Sequence, residues 1–68
     1  MRHIILYNGE DGWWIAECPS LPGCVSQGKT VEEAMKNVRE AVQAYIEALE
    51  MDNVSVPADT RGVMVEEV

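Results

Sequence analysis

The longest regular signal in the chain runs from Thr30 to Glu50. Val31, Ala34, Met35, Val38, Val42, Tyr45 and Leu49 recur there at the 3.6-residue spacing of one helical face. Glu32, Lys36, Asn37, Glu40, Gln43, Glu47 and Glu50 take the other side. Glu32–Lys36 and Lys36–Glu40 are i,i+4 pairs, each contributing roughly 0.3 kcal/mol. Thr30 and Glu33 have the spacing of a capping box, in which the hydroxyl accepts a backbone N–H and the carboxylate reaches back. These features predict a helix from about Val31 to about Glu50. An amphipathic helix must bury its apolar face, so the rest of the chain has to supply the surface it covers.

That surface reads as a sheet. "RHIILY" (2–7) is rich in β-formers, "NGEDG" (8–12) is turn chemistry and "WWIAEC" (13–18) is a second strand. The two strands make a hairpin with a somewhat long loop. "PSLPG" (19–23) breaks the chain, and "CVSQG" (24–28) reads as a third strand, whose modest apolarity suggests an edge position. After the helix, Pro57 makes "MDNVSVPADT" (51–60) a connection. "RGVMVEEV" (61–68) then reads as a last strand. The predicted fold is α+β in the order β-β-β-α-β, a single domain over 1–68. The last strand is expected parallel to the first through a right-handed crossover.

Both faces of the first hairpin are apolar. Ile4 and Leu6 alternate with Ile5 and Tyr7, and Trp13 and Ile15 with Trp14 and Ala16. One helix covers one face, and a chain of 68 residues buries a low share of its surface. The other face is expected to be covered from outside the monomer. The expected assembly is a homodimer or larger, with Ile5, Tyr7, Trp13 and Ile15 as contributors. Periodicity alone leaves open which face lies outside.

Charge narrows the partners. Twelve acidic and five basic residues give a net charge of −7. Nucleic-acid affinity rests on neutralising phosphates with Lys and Arg. The five here, Arg2, Lys29, Lys36, Arg39 and Arg61, are scattered in sequence. Direct nucleic-acid binding is disfavoured and a basic protein partner favoured. Glu10, Asp11, Glu17, Glu66 and Glu67 are the acidic contact candidates. No apolar run of about 18 residues predicts a membrane span. The N-terminus has no leader pattern, so a cytoplasmic protein is expected.

The chemical candidates are few. Cys18 and Cys24 flank five residues and could hold a metal, a disulfide or a nucleophile. A zinc site wants about four ligands, and His3 is the single histidine. The inferred compartment is reducing, which disfavours a disulfide. A catalytic cysteine would need an oriented base, and His3 has no evident orienting partner. The favoured reading is two small, partly buried residues flanking a turn. A ribonuclease H-type cluster needs an acid in the first strand, and "RHIILY" has none, while Glu17, Glu32 and Glu66 lie on different elements. Trp13 and Trp14 could stack on bases, but without a basic groove they read as packing residues. The glycines do not match a phosphate-binding spacing. No cofactor, metal or catalysis is expected.

Pro-Ser-Leu-Pro-Gly-Cys at 19–24, followed by Gly28, Thr30, Glu33-Ala34, Asn37 and Ala41, resembles the signature of the HicB antitoxin family. "DGWWIAE" before it and Pro57 after the helix are similar in layout. The resemblance implies a partial ribonuclease H-like fold without nuclease activity. It also implies a partner: family members bind and block HicA, a small ribonuclease that cleaves messenger RNA. Many members carry a further DNA-binding segment, and this sequence is expected to be a short form without one. On this reading the loop is structural. Pro19, Pro22 and Gly23 fix the turn that Cys24 closes, and Gly28, Thr30 and Glu33 launch the helix. The competing expectations are a stand-alone homo-oligomeric domain with a ligand-binding or structural role, and a residual hydrolase using the Cys18/Cys24 loop.

Overall fold

The computed structural model describes residues 2–59 and Glu66. Three short strands, β1 (Ile5–Asn8), β2 (Trp14–Glu17) and β3 (Val25–Gly28), precede one long helix, α1 (Val31–Met51). The sheet is antiparallel in the order β1-β2-β3, so among the described residues β3 occupies the outer position expected of it. This is the expected α+β class with the order β-β-β-α. The expected last strand, 61–68, falls outside the described residues apart from Glu66.

Register fixes the faces. Ile5 lies opposite Glu17 and Glu17 opposite Val25, while Tyr7, Ile15 and Gln27 form the neighbouring row. Leu6, Ala16 and Ser26 form one row of the other face, and Asn8, Trp14 and Gly28 the next. The helix packs on this second face. Ala16, Ala34 and Val38 are fully buried at the contact, flanked by Ile4, Leu6, Trp14, Met35 and Val42. The start of the helix lies directly against Gly28. A Cβ built there would stand 2.5 Å from the Ala34 nitrogen and 2.8 Å from the Glu33 carbonyl carbon. The position therefore admits no side chain, because the first helical turn sits on its backbone.

Both helix ends have identifiable causes. The Thr30 hydroxyl accepts from the Glu33 N–H at 3.1 Å, and a Glu33 carboxylate oxygen accepts from the Lys29 N–H at 3.2 Å. The cap is as expected, with the carboxylate reaching one residue further back than in the usual box. At the other end Asn53 adopts φ 55°. Its N–H donates to Glu50 O (3.1 Å) and that of Val54 to Leu49 O (2.9 Å), the paired bonds of a Schellman ending. The chain then returns to the N-terminus. Arg2 donates to the Pro57 carbonyl, and Asp59 accepts from the His3 N–H (2.9 Å) and pairs with its ring. Asn37, on α1, donates its side-chain amide to Gln27 O of β3 at 2.8 Å.

Candidate functional site

The loop between β2 and β3 is two consecutive turns. Leu21 N–H donates to Cys18 O (3.1 Å), and Cys24 N–H donates to Leu21 O (3.0 Å). Pro19 and Pro22 each occupy the second position of a turn, where a fixed φ is favourable. Gly23 follows Pro22 at φ 79°, the left-handed value that the third position of a type II turn requires. Leu21, at the joint between the turns, is fully buried with Cys18 and Cys24, against Ala41, Val42, Tyr45 and Ile46 of α1. Tyr45 Oη donates to Pro22 O (2.9 Å), and Arg2 donates to Ser20 Oγ (2.9 Å). The loop is thus clamped from both sides. Burial, and to a lesser degree the neighbouring Cys18, push the Cys24 thiol pKa up. A raised pKa keeps the thiol protonated and unreactive near neutrality.

The sheet face turned away from α1 answers the question that periodicity left open. It carries Ile5, Tyr7, Ile15 and Val25, with Glu17 and Gln27 among them. Tyr7 is 44% exposed and Val25 53% exposed, large values for apolar side chains in a sheet. Ile5 and Ile15 are half-buried. Trp13 stands one residue before β2, with the Lys29 ammonium 5.7 Å from its ring centroid. Glu10 and Asp11 are exposed on a short 3₁₀ turn, Glu10–Gly12, at the tip of the first hairpin. The structure thus brings Ile5, Tyr7, Ile15 and Glu17 onto one surface, with Trp13 and the Glu10–Asp11 tip at the β1–β2 turn end. Glu66 is exposed, and Glu67 lies outside the described residues.

The helix side holds a feature that sequence reasoning missed. Arg2, Ile4, Met35, Arg39, Val42 and Ile46 line an open groove of about 460 Å³. The basic residues, scattered in sequence, bring two of their number together there. Ile46 was absent from the expected apolar face, although it lies one turn beyond Val42 and was open to the same periodicity. Among the described residues no group of three or more His, Cys, Asp and Glu is placed to hold a metal ion. Glu17 faces away from the helix, whereas Glu32 is exposed in the helix's first turn.

Residues 3–67 match the family described as HicB_like antitoxin of bacterial toxin-antitoxin system. The chain belongs to this family. A UPF0150 protein of Thermoplasma acidophilum is 46% identical over 56 residues, covering 82% of this chain and 81% of the relative. A UPF0150 protein of Helicobacter pylori is 43% identical over 62 residues, covering 91% and 85%. One from Synechocystis is 45% identical over 56 residues, covering 82% and 71%. No solved structure matches. Membership in the HicB-like antitoxin family supports an antitoxin role in a toxin–antitoxin system. Among the described residues no helix is long and apolar enough to cross a membrane.

Proposed function

We propose that the 68 residues act as one non-catalytic domain that binds and inhibits a small, basic, HicA-type ribonuclease in the cytoplasm. The observation that carries this reading is the half-open apolar sheet face on a family member of net charge −7. The apolar rows of that face favour association, with a second copy of the chain as the first occupant. Glu10, Asp11, Glu17, Glu66 and Glu67 supply the charge that steers a basic partner. The same charge argues against direct binding to duplex DNA or RNA.

Co-expression with a neighbouring basic toxin tests the reading. Relief of growth arrest and co-purification are expected. Association should slow as salt rises, and reversing Glu10, Asp11 and Glu17 together should slow it further without unfolding the domain. Growth arrest that persists beside soluble, folded protein would reject the inhibitor reading in favour of a stand-alone oligomer.

A further inference from the structure

Cys18 and Cys24 are free and fully buried, and the proposed inhibitor makes no use of their thiols. The β2–β3 register, which pairs Glu17 with Val25, runs one step further to set Cys18 opposite Cys24. The Cys18 N–H donates to the Cys24 carbonyl at 2.9 Å, so the two backbones are joined at this step. Opposing residues of an antiparallel pair hold their Cα atoms about 4.5–5.5 Å apart. A disulfide accepts Cα separations of about 4.4–6.8 Å. Opposing side chains also share a face, and both thiols pack with Leu21 against the same stretch of α1.

We propose that Cys18 and Cys24 form a modification site, a dithiol that hydrogen peroxide converts to an intramolecular disulfide and that thiol reductants restore. One thiolate attacks the peroxide. A sulfur–oxygen bond forms, the oxygen–oxygen bond breaks, and hydroxide leaves and takes up a proton as water. The second thiolate then attacks the sulfenic sulfur. The sulfur–sulfur bond forms, the sulfur–oxygen bond breaks, and the leaving hydroxide takes up a proton as the second water. Two thiols lose two electrons, and the peroxide is reduced to two waters. Burial and the protonated state of Cys24 make the reaction slow near neutrality and faster as pH rises. Once formed, the link straps the double turn covalently at its base. The spacing of an opposed antiparallel pair lies within the range a disulfide accepts, so the constraint should fall mainly on the unfolded chain. The oxidised protein should melt roughly 10 °C higher than the reduced one.

The test uses the full chain treated with hydrogen peroxide, read by intact mass and by alkylation of free thiols after denaturation. Expected is loss of two hydrogens from the monomer, no alkylatable thiol, a higher melting temperature and full reversal by dithiothreitol. Cys24→Ser should abolish the two-hydrogen loss. A wild-type protein that gains oxygens or forms intermolecular dimers without that loss overturns the proposal. Diamide, which couples nearby thiols directly, provides a second measurement on the unmodified sequence. Thiols that stay reduced under diamide in the folded protein overturn it equally.

Discussion

Replacing Gly28 with Ala should be the most damaging glycine-to-alanine change among the described residues. The new Cβ would meet backbone atoms, Ala34 N at 2.5 Å and Glu33 C at 2.8 Å, which have no rotamer to change. Restoring ordinary contact requires the helix start to retreat by about 1 Å. That retreat loosens Ala34 and Val38, two of the three residues fully buried at the centre of the helix–sheet contact. Overpacking of this kind costs about 1–3 kcal/mol, and the rigid neighbours place Gly28→Ala near 3 kcal/mol. In a domain of this size each kcal/mol lowers the melting temperature by about 4–8 °C. A fall of roughly 12–24 °C is expected in a thermal melt followed by far-ultraviolet circular dichroism. Gly23 is the control. Its φ is 79° and nothing lies within 4 Å of a Cβ there, so Gly23→Ala pays only the left-handed backbone cost of about 1–2 kcal/mol. Asn should regain part of that cost at Gly23, because it tolerates the conformation. At Gly28 the larger Asn should be worse than Ala. A Gly28→Ala protein melting within about 2 °C of the wild type, or a Gly28→Asn protein more stable than it, would refute the close-approach argument.

Thr30→Ala removes the acceptor of the Glu33 N–H and should cost about 1 kcal/mol in urea denaturation, with partner binding unchanged once the variant is folded. The raised Cys24 pKa makes the folded state hold its proton more tightly than the unfolded chain does. This stabilisation is complete below the ordinary thiol pKa of about 8.5 and is lost as pH climbs from there through the raised value. Urea midpoints of Cys24→Ala, taken across that alkaline range, should fall less steeply than those of the wild type. Tyr7→Lys, on the half-open sheet face, should leave the fold intact and shift light scattering toward the monomer; an unchanged oligomer would place assembly on another surface.

The helix was legible because its face and cap are local. The stop is local too, but it came from the structure: Asn53, two residues past Met51, takes the left-handed conformation. The double turn was legible as a turn from Pro19, Pro22 and Gly23, though not as a pair sharing Leu21. The face covered by the helix was not settled by alternation, since apolar residues occur on both sides. Side-chain size carried the missing signal. On the covered rows Ala16, Ser26 and Gly28 make the floor on which the helix sits, with Leu6 and Trp14 flanking it, whereas the open rows hold Ile5, Tyr7, Ile15 and Val25. A helix comes down most closely where side chains are short, and larger ones pack beside it. The groove between Arg2 and Arg39 was beyond reach, because it depends on how α1 lies across the sheet. The acidic candidates were named from charge, and only the register put Glu17 on the apolar face apart from the hairpin-tip pair.

The amide of Asn37 has a consequence for how the sheet meets other chains. Hydrogen bonding between Cys18 and Cys24 makes Ser26 the next bonded partner along β3, so the Gln27 carbonyl points away from β2. An outward carbonyl on a terminal strand is an invitation to another extended chain. Here Asn37 answers it from within the molecule. A strand adding beside β3 would first have to displace that amide, which protects a stretch of only four residues ending in glycine. The bond thus raises the cost of strand addition at the helix-proximal end of β3, while the apolar rows of the sheet's open face stay uncovered by it.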